Sequence, residues 1–348
     1  MTDTAARETA PRARVRDPFL DNARFGVMLL VVVSHFMTDL QDVPLGRAVY
    51  AWAFLFHMPV FVLVSGYTAR RYRGDARQVQ RMLGTLVVPY LLVNVALNYA
   101  DHLESGDPVS WNLLDPNWLS WFLAALFVWR LTTPLWLALR HPVVVALVVS
   151  LAAGLAAPDN VLEIKRVLGF LPFYVAGMYL QRRHFEALAR PVVRVASVVV
   201  LGATFVASLL WSPGWTVSWL YFNDGYAESP LDAGPVEGVA VRAGLLALGF
   251  VLSFATLSLV PRRTAWYSSL GERTLYAYLL HGFVVIALRQ AGVFTDLQAH
   301  GVLAVVGVAL AAAAFATALM TRPVSVLFAP VLAPQLHWLM RPTSRRTR

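Results

Sequence analysis

Ten apolar stretches follow one another along the chain, at about 23–41, 49–69, 80–100, 117–138, 142–157, 165–181, 192–211, 239–260, 274–290 and 301–321. A helix needs about 20 apolar residues to cross a bilayer, within a range of about 17–25. In hydrocarbon, only a structure that satisfies every backbone N–H and C=O internally can persist, and a helix does so within one segment. Composition agrees with that restriction. Of 348 residues 58% are hydrophobic and 14% charged, where a soluble domain carries about a quarter charged residues. The expectation is all-α: a polytopic transmembrane helical bundle of about ten spans. The fifth and sixth stretches are short, and the sixth holds Pro172 and Gly177. Were both re-entrant, the count would fall by two and the two ends would stay on the same side.

The 29 basic residues, 28 Arg and the lone Lys165, decide which side that is. With the N-terminus placed inside, 22 fall in inner segments and four, Arg47, Lys165, Arg166 and Arg289, in outer ones. Arg24, Arg130 and Arg242 fall within spans. Cytoplasmic segments carry the basic excess, so both termini are predicted to be cytoplasmic. The formal charge of +9 then encodes orientation, and no nucleic-acid partner is implied. A basic cytoplasmic segment, 1–18, precedes one membrane domain, 19–322, and a cytoplasmic Pro/Arg-rich tail, 323–348, lies along the surface. The chain has no cysteine, which excludes disulfides, thiolate nucleophiles and Cys-ligated metals. No metal site is expected. The Arg-heavy, alanine-rich composition points to a bacterial source, whose bilayer is the plasma (inner) membrane.

Ionisable groups are costly in hydrocarbon and so mark functional positions. Arg24 and His35 stand eleven residues apart in the first stretch. At 100° per residue they share one helix face, about 16 Å apart along the axis. Arg24 then sits at the cytoplasmic edge and His35 beyond the midplane. That spacing suits a long ligand with an anionic head, held by the guanidinium, and a reactive tip beside an imidazole acting as general base. Acetyl-coenzyme A has this shape. The other readings are an orientation anchor for Arg24 and a helix–helix hydrogen bond for His35. His57, in FHMPVFVLVSGY, lies at similar depth to His35 on the next helix, with Pro59 freeing a backbone carbonyl nearby. The following RRYRGDARQVQR holds five arginines, able to cradle phosphates or simply to set orientation. Asn94 and Asn98 share a face and would hold acceptor hydroxyls or bond neighbouring helices. His281, within the ninth stretch, joins His57, Asn94 and Asn98 as a candidate substrate-binding residue, while Arg130 and Arg242 need partners that the sequence does not identify. The aromatic segment 212–238 either stacks on a sugar ring or forms an interfacial Trp/Tyr belt.

These segments resemble the acyltransferase type 3 family, integral membrane O-acyltransferases that include fucose 4-O-acetylase-like proteins. DNARFGVMLLVVVSHF looks like its Arg-x10-His first span, and FHMPVFVLVSGY like its second, followed by the Arg-rich loop and LVVPYLL. NWLSWFLAALF, LGFLPFYVAGMYL and LGERTLYAYLLHG resemble later family helices, in the family's order. The resemblance implies transfer of an acyl, most simply acetyl, group from cytoplasmic acyl-coenzyme A, a co-substrate rather than a resident cofactor. The acceptor would be a hydroxyl of a cell-envelope carbohydrate or lipid-linked glycan. By the same resemblance His35 is the essential histidine and Arg24 its paired basic residue, while Arg70 and Arg73 match an Arg-x-x-Arg element. A transporter or flippase with an Arg/His-lined path is the competing reading, although no internal repeat supports it.

Overall fold

The computed structural model describes residues 18–336 apart from 107, 157–160 and 212–214. Among the described residues all regular structure is helical. In chain order the helices are α1 (Pro18–Phe36), α2 (Pro44–Phe54), α3 (His57–Ala69), α4 (Ala76–Met82), α5 (Val88–Ser105), α6 (Trp121–Ala138), α7 (Pro142–Ala153) and α8 (Ile164–Tyr179). They continue as α9 (Arg182–Leu188), α10 (Pro191–Trp211), α11 (Pro235–Leu259), α12 (Thr274–Gln290), α13 (Val293–Gln298), α14 (Gly301–Leu319) and α15 (Arg322–Leu332).

Seven helical stretches are long and apolar enough to cross a membrane: α1, the α2–α3 run, the α4–α5 run, α6, α10, α11 and α14. The other three of the ten expected segments form shorter helices, α7 with 12 residues, α8 with 16 and α12 with 17. At 1.5 Å per residue α8 and α12 reach about 24–26 Å, short of a hydrocarbon core about 30 Å thick. Both run largely through the protein interior, where Tyr174 and His281 are fully enclosed. In contrast α10 shows an exposed valine flank, Val192, Val195, Val198 and Val199, as a lipid-facing helix does. In the tail, α15 is 11 residues long, about 16 Å, and too short to span. The basic segment before Pro18 and the tail beyond Leu336 lie outside the described residues.

Local sequence explains the breaks. Proline at position 59 has no N–H to offer the carbonyl of Leu55 and its ring crowds that turn. The second apolar stretch accordingly breaks at Leu55–Phe56, where Phe56 leaves helical geometry and His57 opens α3. Between α4 and α5 a π-helical turn, Leu83–Val87, precedes Pro89. Such turns shift the register of side chains and recur at functional sites.

Contacts between helix ends sort the connections onto two faces. On one face the Asn22 amide donates to the carbonyls of Pro261 and Arg263 at 2.9 and 3.0 Å, and Arg70 donates to the Leu180 carbonyl at 2.7 Å. On the other, Arg289 grips Asp39 at 2.9 and 3.0 Å and Lys165 grips Glu228 at 2.6 and 2.7 Å. The Arg-rich connections share the first, basic face; the acidic ones share the second.

The bundle closes around α1, which touches α3, α12 and α14, and around the tight crossing of α3 on α8. A Cβ on Gly66 would stand 2.0 Å from the Tyr174 carbonyl oxygen, and one on Gly177 2.1 Å from that of Leu63. Small residues at such crossings let helix backbones approach where no hydrophobic effect drives them together. Gly177→Ala should therefore cost about 1–3 kcal/mol through overpacking, read as a lower unfolding temperature in detergent. Gly244→Ala, within α11 at a position with open space around it, should not lower that temperature and should raise it slightly, because Ala is the better helix former.

The acidic-face segment 215–234 is tied down by its own ion pair. The Lys165 ammonium and the Gly225 N–H both bond the Glu228 carboxylate and hold its pKa below the ordinary carboxylate value. A carboxyl whose pKa is depressed on folding adds stability that is complete above its unfolded pKa and is lost as pH falls through the folded one. Thermal stability should thus fall on acidification through the carboxylate range, and the slope should be shallower in Glu228→Gln.

Candidate active site

His35 is held from both sides of the fold. Its Nδ1 lies 2.7 Å from Nε2 of His281, and the two rings are nearly parallel, 7° apart. His281 is fully buried, with Nδ1 2.8 Å from the Ala277 carbonyl oxygen. A carbonyl only accepts, so His281 Nδ1 carries the proton and its Nε2 is the lone pair. His35 must then donate through Nδ1, which leaves His35 Nε2 unprotonated. Assignment runs from the carbonyl outward, as tautomers are set by the bond the other nitrogen makes.

His57 stands nearby by virtue of the break before α3. Its Nδ1 is 2.7 Å from the Ala53 carbonyl oxygen, and its ring meets that of His35 edge-on at 6.4 Å between centroids. The three histidines thus come from α1, α3 and α12. His35 and His57 line a cavity of about 250 Å³ toward the acidic face. Its walls are aromatic, with Tyr50, Phe54, Trp118, Trp121 and Tyr221, and Arg166 is its one charged lining residue among those described.

Arg24 occupies the opposite end of α1. Its Nη1 pairs with Asp21, one turn back, at 3.2 Å. The side chain lines two connected cavities at the basic face, of about 790 and 220 Å³, and Arg130 lines both as well. Arg70, Arg71, Arg77 and Arg81 complete the basic wall of the larger one, against a single carboxylate, Asp75. Opposite charge attracts across such a mouth far more strongly than on an open surface. Arg70 also lies over the Tyr67 ring, 3.9 Å from its centroid. Arg73 does not reach this wall; it is exposed, and its backbone N–H bonds the Gln78 side chain at 2.7 Å.

Between the two ends stands Tyr278, the one described residue lining both the 220 Å³ cavity and the His35 cavity. Its hydroxyl donates to the Leu119 carbonyl, which fixes the ring as a partition. Arg24 and His35 therefore face the interior from one helix side, in two chambers rather than one.

Other expected positions take structural roles. Asn94 is fully buried; its Oδ1 accepts from the Asn117 N–H at 2.6 Å and the Ser120 hydroxyl at 2.8 Å, and its amide donates to the Asp115 carbonyl at 3.2 Å. Asn98 bonds the Asn94 carbonyl and the Asn117 amide. These bonds fold the 112–120 connection onto α5 and set Trp118 and Leu119 at the wall of the histidine cavity, which neither asparagine lines. Arg242 finds no carboxylate among the described residues. It donates to the carbonyls of Ser150 and Asp224 at 3.4 and 3.2 Å and lies against the rings of Phe222 and Tyr226. Within the aromatic segment Trp219 and Tyr226 are buried in their own small cluster, and Tyr221 is the ring that reaches the His35 cavity. Three positions that sequence reasoning left without a role, Arg130, Arg166 and Tyr278, turn out to line the cavities.

A base with a free lone pair, an arginine-lined mouth and a chamber between aromatic rings form an arrangement suited to group transfer. The family described as an acyltransferase domain matches residues 17–321, which covers α1 through α14 and every lining residue of the three cavities. No curated protein and no solved structure matches the chain. The enzyme reading therefore prevails over the carrier: the chain belongs to the acyltransferase type 3 family and is a multi-pass membrane acyltransferase.

Proposed function

We propose that the protein transfers an acyl group, in the simplest case acetyl, from cytoplasmic acyl-coenzyme A to a hydroxyl of a cell-envelope carbohydrate or related acceptor, in the plasma membrane. The observation that carries this reading is the His281–His35 hydrogen bond, which leaves His35 Nε2 as a lone pair facing the acidic-face cavity, three helix turns from the arginine mouth. The adenosine end of the donor carries a diphosphate and a ribose phosphate. Arg24, Arg130 and Arg70 are the guanidiniums best set to meet them, because phosphate is held bidentately by such forks. The pantetheine arm then runs along α1 toward Tyr278.

At the tip the chemistry is one displacement. His35 Nε2 accepts the proton of the acceptor hydroxyl as the oxygen attacks the thioester carbonyl carbon. The tetrahedral intermediate collapses by breaking the C–S bond. The proton on the imidazolium passes to the departing thiolate, so ester and free coenzyme A leave and His35 returns neutral. His281 keeps the imidazole oriented and, through its Nε2, accepts the Nδ1 proton's hydrogen bond as positive charge develops on His35. For the thioester to reach His35, Tyr278 must swing aside from Leu119.

Purified protein in nanodiscs with radiolabelled acetyl-coenzyme A tests this. His35→Ala should lower thioester turnover by about 10²–10⁴-fold, the usual contribution of a positioned base, with donor affinity unchanged. Turnover equal to wild type in that variant would end the proposal. Arg130→Ala should weaken coenzyme A binding by about 10- to 100-fold, the loss of a charge-assisted hydrogen bond, while His281→Leu should depress turnover without changing that affinity.

A further inference from the structure

The His35 cavity carries a positive charge that proton transfer does not use. Arg166, at the first turn of α8, has a side chain only 16% exposed. Its Nε edge is occupied: it donates to the Tyr221 carbonyl at 3.1 Å and stands 3.7 Å from Glu163 Oε2. Its guanidinium carbon lies 4.9 Å from the Trp121 ring centroid and 5.9 Å from that of Tyr221, so aromatic rings fix its plane. Among the described residues the two Nη groups make no hydrogen bond, and no carboxylate lines the cavity that Arg166 shares with His35. The neighbouring Lys165 is spent on Glu228. An enclosed guanidinium has five donors and no acceptor. Here the Nη fork remains for a ligand, and a planar fork matches a carboxylate or phosphate.

The size of the site narrows the class. At about 250 Å³ it falls below the about 300–1,000 Å³ of pockets for drug-sized ligands, so it takes one ring-sized group. Trp118 and Tyr221 line it with aromatic rings of the kind against which the C–H face of a pyranose packs. Resting on the acyl-transfer reading of this cavity, we infer that the acceptor is an anionic sugar, whose carboxylate or phosphate is clamped by Arg166 while a ring hydroxyl is presented to His35. A neutral sugar would leave the guanidinium fork enclosed and unmet, which is costly, so Arg166 sets specificity rather than performing the proton transfer. Glu163 sits against the clamp and tempers its charge.

Equilibrium dialysis of the full chain in nanodiscs, without coenzyme A, reads this directly. The radiolabelled ligands are methyl glucuronide, glucose 1-phosphate and methyl glucoside. Wild type should retain at least one of the two anionic sugars about 10- to 100-fold more tightly than the neutral one, and which of the two identifies carboxylate or phosphate as the group held. Arg166→Gln should erase the preference and Arg166→Lys should keep part of it. Glu163→Gln should raise anion affinity several-fold, a gain that misfolding does not produce. Equal binding of all three sugars, no binding of any, an intact preference in Arg166→Gln, or weaker anion binding in Glu163→Gln would each overturn the inference. Thioester turnover dependent on His35, measured separately, would still stand in those cases; its absence beside an intact anion preference would remove the acyl-transfer reading and leave the anion site.

Discussion

One hydrogen bond joins the first helix to the twelfth across 246 residues of sequence: His35 to His281, continued to the Ala277 carbonyl. Geometry and chemistry both hang on it. Because His281 is fully enclosed and its Nδ1 is committed to a backbone acceptor, the direction of the whole chain of donors is set. A buried polar group that lacks its partner is expensive, so α1 and α12 are held at the one separation that satisfies both rings. The cavity walls are hung from this pair. Trp118 and Leu119 pack beside His281 and Tyr278 at the entry to α6, and the break before α3 brings His57 alongside.

Electrostatics divides the molecule along the same axis. At the basic face six arginines line a mouth with one carboxylate, a field suited to a polyanionic donor. At the acidic face the cations are mostly paired, Arg289 with Asp39 and Lys165 with Glu228. These pairs fasten connections to helices rather than attract ligands. Arg242 does similar work without a carboxylate, holding the 222–226 segment through carbonyls and ring faces.

Much of this was legible in the residues. Apolar length alone dictates a helical membrane bundle, and a separation of eleven residues puts Arg24 and His35 on one side of a helix whichever neighbours it has. What was hidden depends on how helices are arranged about one another. His281 reads as a histidine in an apolar helix until its partner 246 positions away is known. Arg130 and Arg24 line a shared wall although they stand on different helices, α6 and α1, and no spacing within either helix encodes that meeting. Arg73 and Arg70 are three residues apart, yet the chain turns at Gly74 and leaves Arg73 outside the mouth. Asn94 and Asn98 do share a face, as the i, i+4 rule requires, but the connection at 115–120 reaches them first. Arg166 was visible as a cation beside Lys165; only the fold shows that Lys165 is held by Glu228, while Arg166 meets Glu163 through its Nε edge alone and lines the His35 cavity.

The Tyr278 partition bears on fidelity. A thioester is prone to attack by water, and an open bore from one face to the other would let it be squandered and would let ions leak through the membrane. With a phenol ring bonded to Leu119, the proposed reaction would keep the donor's tip and the acceptor's hydroxyl in separate vestibules until that bond gives way. Under that proposal the protein would work like an airlock, with the bilayer sealed between turnovers and the activated group meeting the far side only when the partition opens.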